Sequence, residues 1–157
     1  MELISAAGQE VLRREVEMLI HDERPKVVSQ VSAAAAEGDR SENAEYIYGK
    51  KRLREIDRRM NFLTKRLEKL TVREAPVDNQ KVQFLSWVLL EDEDERQVSY
   101  LIVGSDEAAP EQGMLSYHSP IGRALLGRRV DEEVTISIPK GEVSYLILDI
   151  QNHPPKS

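Results

Sequence analysis

Six apolar residues in the first half of the chain, Leu53, Ile56, Met60, Leu63, Leu67 and Leu70, alternate spacings of three and four without a miss. This is the seam of a coiled coil, because a 3.5-residue average keeps one stripe of side chains turned toward a partner helix. A matching stripe precedes it. Leu12, Val16 and Leu19 fall at i, i+4 and i+7, and Val27, Val31 and Ala34 continue in the same rhythm. Pro25 lies inside that earlier stretch, where it removes one backbone hydrogen bond and is predicted to kink the first helix or divide it. Two such helices joined by a short polar segment pack antiparallel. With ~30 residues each at 1.5 Å per residue, they form a rod about 45 Å long and one helix pair thick.

The joining segment is Gly38-Asp39-Arg40-Ser41-Glu42-Asn43-Ala44-Glu45-Tyr46. Gly38, after the alanine run 33–36, is a helix stop, since glycine accepts the left-handed backbone without steric cost. Asp39 and Glu42 admit two readings. As an Asp-x-x-Glu capping box they would satisfy backbone N–H groups at the start of the second helix, where the helix dipole also favours them. Alternatively they are held out on the tip of the rod for chemistry. On such a tip nothing else in the chain can complete a site. Two carboxylates alone are a poor magnesium site, because the ion prefers six oxygen ligands and holds its waters tightly. Any remaining ligands must then come from a partner.

Charge is distributed unevenly. The chain of 157 residues has a net charge of −6, yet residues 1–75 carry 15 basic and 14 acidic side chains, against 7 and 14 for 76–157. Within the first half, Lys50, Lys51, Arg52, Arg54, Arg58, Arg59, Lys65 and Arg66 share one stretch with only Glu55 and Asp57. A basic stripe in an acidic protein suggests local contact with a polyanion. The competing reading is a solvated helix face with i,i+4 pairs to Glu55 and Asp57.

Helical periodicity ends at Ala75-Pro76-Val77-Asp78-Asn79, which separates a helical domain over 1–75 from a second domain over 81–157 by a linker at 76–80. β-like runs follow at Lys81–Leu90, Gln97–Val103, Met114–His118, Val134–Ile138 and Val143–Ile150. Ser119 and Pro120 read as N-cap and N1 of a short helix that Gly127 closes. The fold class is α+β, with a helical hairpin followed by a curved antiparallel sheet of about five strands crossed by one helix. There is no cysteine, which excludes disulfides and thiolate chemistry. No apolar run approaches the ~20 residues that span a bilayer, so no membrane partner is expected and the reading is a soluble cytoplasmic protein. His21, His118 and His153 are scattered without ligand spacing, and no nucleophile triad, phosphate loop or zinc pattern is present.

The nine-residue segment and the following Lys50-Lys51-Arg52-Leu53-Arg54-Glu55-Ile56-Asp57-Arg58-Arg59 resemble the bacterial Gre transcript-cleavage factors, in particular the GreB type. The match extends to Glu23-Arg24-Pro25, to Ser119-Pro120-Ile121-Gly122-Arg123-Ala124-Leu125-Leu126 and to the turn Pro139-Lys140-Gly141-Glu142. The resemblance implies an N-terminal coiled coil and an FKBP-like C-terminal domain. It implies an accessory factor, not an enzyme, that binds RNA polymerase, inserts its coiled coil into the secondary channel and stimulates cleavage of the extruded nascent RNA 3′ end. Asp39 and Glu42 would be the catalytic and metal-binding acids, completing a Mg2+ site shared with the polymerase active centre. Lys50, Lys51, Arg52, Arg54, Arg58 and Arg59 would face RNA, and Ser119, Pro120 and Ile121 would dock on polymerase. The factor is expected to act as a monomer. The competing readings are a channel-occupying regulator without cleavage activity and a coiled-coil adaptor for another protein. A prolyl isomerase is a poor reading, because fold does not carry function and few aromatics are present to line a pocket. An autonomous nuclease lacks ligands.

Overall fold

The computed structural model describes residues 2–38 and 43–155. The chain divides into two compact units, Gln9–Leu70 and Met1–Gly8 with Thr71–Ser157. This differs from the expected boundaries, since the first eight residues and 71–80 belong with the sheet. The N-terminal segment carries strand β1 (Glu2–Ile4), which pairs with β2 (Leu70–Val72) in a two-stranded sheet.

In the helical unit one arm comprises α1 (Ala6–Met18), a five-residue π-helical turn (Leu19–Glu23) and α2 (Arg24–Ala36); the other is α3 (Ala44–Lys69). Cross-arm partners fall in number as α3 advances: Asn43 meets Ala34, Asp57 meets Arg24, and Arg59 meets Glu15. The arms are therefore antiparallel, as the two stripes require. On α3 the buried residues are Gly49, Ile56 and Leu63, seven apart, while Leu53, Met60 and Leu67 are half-buried. A two-helix layer buries one row fully and leaves the next at its rim. Ile56 and Leu63 expose 1% and 0% of their surface, and full burial of such a side chain stabilises by about 1.5–3 kcal/mol.

The first arm buries Leu12, Leu19, Val27 and Ala34, at steps of seven, eight and seven. The extra residue falls in the π turn, where the Arg24 N–H reaches back to the Leu19 carbonyl. That wider turn absorbs one residue and keeps both halves of the arm on the same seam. Pro25 then stands in the first turn of α2, where its missing N–H costs little. The predicted division of the first helix is thus a π turn.

The second unit is built on five strands: β3 (Trp87–Glu91), β4 (Gln97–Val103), β5 (Met114–Ser116), β6 (Glu133–Ile138) and β7 (Gly141–Gln151), in the order β5-β4-β3-β7-β6. The neighbours are antiparallel except β4 and β5, which run parallel with Leu101 opposite Met114. The expectation of a purely antiparallel sheet is corrected here. Residues 104–113 carry the chain back through two 3₁₀ turns instead of reversing it in a hairpin. Between β3 and β7 the register slips, with Leu89 opposite Asp149 but Leu90 opposite Ile147, so Leu148 is an extra residue. Such a bulge bends and twists the sheet.

The strand predicted from Lys81 begins only at Trp87. Val82, Phe84 and Ser86 are buried, yet Leu85 adopts φ of 68°, which breaks the extended chain. The Leu85 N–H donates to the Ile102 carbonyl at 2.7 Å, and the buried Ser86 hydroxyl accepts from the Gln83 N–H at 2.8 Å. These bonds hold a left-handed leucine that local sterics disfavour.

Helix α4 (Pro120–Leu125) lies over the core made by Val88, Leu90, Ile102, Leu115, Val134 and Ile147. Its start is as predicted. Ser119 is the N-cap, accepting from the Gly122 N–H at 3.1 Å and donating to the Ser116 carbonyl at 2.7 Å. Glu107 ties the N-terminal segment to this unit. Its carboxylate accepts from the backbone N–H groups of Ser5 and Gly104, both at 3.1 Å, and from the Ser5 hydroxyl.

Candidate functional site

Asp39 and Glu42 lie outside the described residues. The cap of α3, however, is described, and it is Asn43. Its side-chain oxygen accepts from the Tyr46 N–H at 3.1 Å while its amide nitrogen donates to the Ala34 carbonyl at 2.8 Å. One amide thereby starts α3 and ties it to the end of α2, a double role that a carboxylate cannot fill because it has no donor. The capping-box reading is corrected accordingly, since α3 begins at Ala44 on an asparagine cap. Among the described residues no group of three or more His, Asp or Glu stands close enough to hold a metal ion.

The basic residues of α3 fall into two sets. Arg52 and Arg59 reach across the hairpin. The Arg52 guanidinium bonds Glu23 in the π turn and Glu55 on its own helix at 3.3 Å, and this hydrogen bonding raises its pKa. Arg59 holds Glu15 of α1 through two hydrogen bonds, at 2.5 and 2.9 Å, and lies over the Phe62 ring at 5.4 Å. Its hydrogen bond lowers the Glu15 carboxyl below the usual range, against the opposing effect of burial. A third cross-arm pair joins Arg24 to Asp57 at 2.9 Å. Asp57 is therefore committed to α2, not to an i,i+4 partner on α3.

Lys50, Lys51, Arg54 and Arg58 are exposed and form no ion pair with another described residue. At 100° per residue they project on the side of α3 opposite Gly49, Ile56 and Leu63. This outer face carries uncompensated positive charge together with the exposed Ile47, while the exposed Tyr48 stands at its flank near the start of the helix, beside Lys51 and Arg52. The sequence stripe thus separates into arginines that pin the arms together and cations that face outward. Tyr48 and Gly49 carried no expectation; their signal was position alone, two residues within the basic run's approach to the tip.

On the sheet unit, Ser119, Pro120 and Ile121 stand together at the start of α4. Both hydrogen-bonding roles of the Ser119 hydroxyl are used locally, so this residue shapes the loop. Pro120 and Ile121 instead line an apolar hollow of about 230 Å³ with Ile136, Ile138, Val143 and Tyr145. Burial, followed by the nearby Tyr100 and Asp92, pushes the Tyr145 phenol up. The hollow was legible only in part. Ile136 and Ile138 alternate on one side of a strand, but nothing in the sequence places them beside Pro120. His118 pairs with Glu2 at 3.4 Å and His21 with Glu17 at 3.1 Å. No helix among the described residues is long and apolar enough to cross a membrane.

Comparison with known proteins covers nearly the whole chain. Residues 2–72 match the family described as "Transcription elongation factor, N-terminal", and residues 77–152 match "Transcription elongation factor, GreA/GreB, C-term". The chain is 52% identical over 152 residues to transcription elongation factor GreB of Yersinia pestis, spanning 96% of this chain and 89% of that protein. It is 51% identical over 154 residues to GreB of Pseudomonas aeruginosa, spanning 98% and 91%. Among solved structures, GreA factor homolog 1 of Thermus thermophilus aligns over 96% of this chain and 99% of its own, at 23% identity and a TM-score of 0.43. Two family matches in chain order and relatives of about half identity over almost full length agree with each other. The chain belongs to the GreA/GreB family of transcription elongation factors, on its GreB side.

Proposed function

We propose that this elongation factor binds RNA polymerase, places its helical hairpin in the secondary channel and stimulates hydrolysis of the extruded RNA 3′ end in backtracked complexes. The observation that carries the reading is the outer face of α3. Four cations, Lys50, Lys51, Arg54 and Arg58, face away from the hairpin seam, immediately after a loop that holds two acids. Arg52 and Arg59 are neutralised by acids of the first arm, whereas these four cations form no ion pair with another described residue. A strand of phosphates would bind that face by charge, without reading bases. Arg52 and Arg59, expected from the sequence to face RNA as well, are engaged by Glu23 and Glu15, so in this reading they brace the hairpin and the four outward cations carry the phosphate contact.

Asp39 and Glu42 are the residues that would complete a magnesium site whose other ligands belong to the polymerase. Two acids alone would supply too few of the six oxygen ligands that magnesium prefers, which suits an incomplete site of that kind. The chemistry such an ion would supply is a lowered pKa for bound water and stabilisation of charge on the reacting phosphate. Asp39 would contribute an oxygen ligand, and Glu42 would orient the attacking water or take its proton. Docking would use Pro120, Ile121 and the apolar hollow beside them, with Ser119 holding the loop in shape. The finer description of the sheet unit as FKBP-like rests on the sequence resemblance.

The test adds the purified protein and magnesium to a stalled, backtracked elongation complex and sizes the RNA. Shortening of the transcript from its 3′ end, lost in Asp39→Ala while polymerase binding persists, supports the reading. An unchanged cleavage rate with Asp39→Ala would refute the role of that acid.

A further inference from the structure

The cations of α3 account for phosphates but leave an aromatic ring unexplained. Tyr48 exposes 73% of its surface, more than any other aromatic residue among the large hydrophobics that are exposed. It stands one turn from the start of α3 and lines a hollow of about 120 Å³ with Lys51, Arg52 and Glu55. These are its i+3, i+4 and i+7 neighbours, so the four side chains form one continuous strip. The walls differ in character. Arg52 is fixed between Glu23 and Glu55, whereas Lys51 is exposed and has no ion pair with another described residue. The hairpin gains little from this ring, because tyrosine is a poorer helix former than alanine and most of the ring is in water.

A flat π surface, a free ammonium group beside it and a carboxylate edge suit one ligand class, an unpaired nucleobase with its phosphate. Bases of every type stack on aromatic side chains, the lysine takes the phosphate, and Glu55 can accept from an exocyclic amine. We propose that Tyr48, walled by Lys51, Arg52 and Glu55, is a stacking subsite for one unpaired base of the extruded RNA segment. The proposal rests on the reading above that α3 lies along that RNA. It adds a base-dependent contact to a face that otherwise reads only charge. Purines, with the larger π surface, are favoured over pyrimidines.

The test uses the full-length protein with backtracked elongation complexes whose extruded RNA is either unmodified or carries one abasic nucleotide at successive positions. The readouts are the factor concentration giving half-maximal cleavage and the limiting cleavage rate. Tyr48→Ala should raise the half-maximal concentration on unmodified RNA by about 5- to 150-fold, the range of one stacked base, while Tyr48→Phe stays within about twofold. One abasic position should impose a similar loss on the wild-type protein and no further loss on Tyr48→Ala. The proposal is overturned if the abasic and Tyr48→Ala losses multiply, if Tyr48→Phe fails as Tyr48→Ala does, or if Tyr48→Ala behaves as wild type. Equal loss on every RNA, abasic or not, would assign the ring to a polymerase contact and also overturn it. Absence of wild-type cleavage on unmodified RNA would sink the functional reading itself, and the subsite with it. Because the ring is exposed, all variants should melt with the wild type.

Discussion

Gly49 is a point of close approach between the two arms of the hairpin. It is buried on α3, and a Cβ placed on it would stand 2.5 Å from Cγ2 of Val31. Carbon atoms in contact prefer about 3.5–4.0 Å, so Gly49→Ala requires a displacement of about 1–1.5 Å. Val31 cannot easily supply it, because a β-branched side chain in a helix is held to one strongly preferred rotamer. Overpacking of this kind costs about 1–3 kcal/mol. Alanine returns about 1 kcal/mol through helix propensity, so the net loss is about 1 kcal/mol. The double variant Gly49→Ala/Val31→Ala removes the clashing methyls and should be more stable than Gly49→Ala alone. Urea denaturation followed by circular dichroism measures all three proteins. The reasoning is refuted if Gly49→Ala is stabilised by the full helix-propensity gain, or if Val31→Ala fails to rescue it. Because the contact lies six residues beyond the Asn43 cap, displaced arms should also lower transcript cleavage at saturating factor, by more than the stability loss alone predicts.

The two sets of basic residues on α3 should respond differently to charge reversal. Arg54→Glu/Arg58→Glu is expected to leave stability within about 0.5 kcal/mol, as for surface sites without partners. It should weaken engagement of backtracked complexes most at low salt, lowering the salt slope by about 1.4, or about 0.7 per phosphate. Arg52→Glu instead sets a third carboxylate against Glu23 and Glu55 and should destabilise the hairpin by about 1 kcal/mol or more; equal melting of the two variants would contradict the division. The Glu15–Arg59 pair predicts a pH dependence of stability. The folded Glu15 carboxyl titrates below its unfolded range, so the unfolded chain binds its proton first as pH falls. Its stabilisation is present above the unfolded pKa of about 4.3 and is lost as pH drops through the lower folded value. For a pair this exposed the contribution is about 0.2–1 kcal/mol. Comparing Glu15→Gln with wild type from pH 7 down to 2.5 should show the difference vanish in acid, and a constant difference would refute the assignment.

The hairpin was the most legible part of the chain because its stripe is nearly redundant. Ile56 and Leu63 belong to a run in which every third or fourth residue is apolar, and only one helix face can satisfy it. The π turn was also written in the sequence, as the eight-residue step from Leu19 to Val27. It was obscured because each half keeps ordinary helical spacing and Pro25 offered a sufficient cause for a break. The strand starting at Lys81 failed for a more instructive reason. Val82, Phe84, Ser86, Val88 and Leu90 are buried at every second position, the pattern of a half-buried strand, but a left-handed turn at Leu85 delivers the same alternation. Burial periodicity reports which side chains face the core; it does not fix the backbone that takes them there. The parallel placement of β5 depended on where residues 104–113 lead the chain, which periodicity does not encode.

The tip shows a different limit. Capping and chemistry competed for the same two acids because both demand oxygen near a helix start, and composition alone does not separate them. Asn43 removes the competition, since an amide that both accepts from Tyr46 and donates to Ala34 does the structural work one residue after Glu42. The acids are then not required to begin α3. The same separation recurs along the helix, where Arg52 and Arg59 neutralise the acids of the first arm and leave Lys50, Lys51, Arg54 and Arg58 in excess. On α3, cations with a structural partner stand beside cations that form no ion pair with another described residue. That surplus of charge over what the fold consumes is the physical basis for assigning the outer face of α3 and its acidic loop to a ligand the protein does not itself contain.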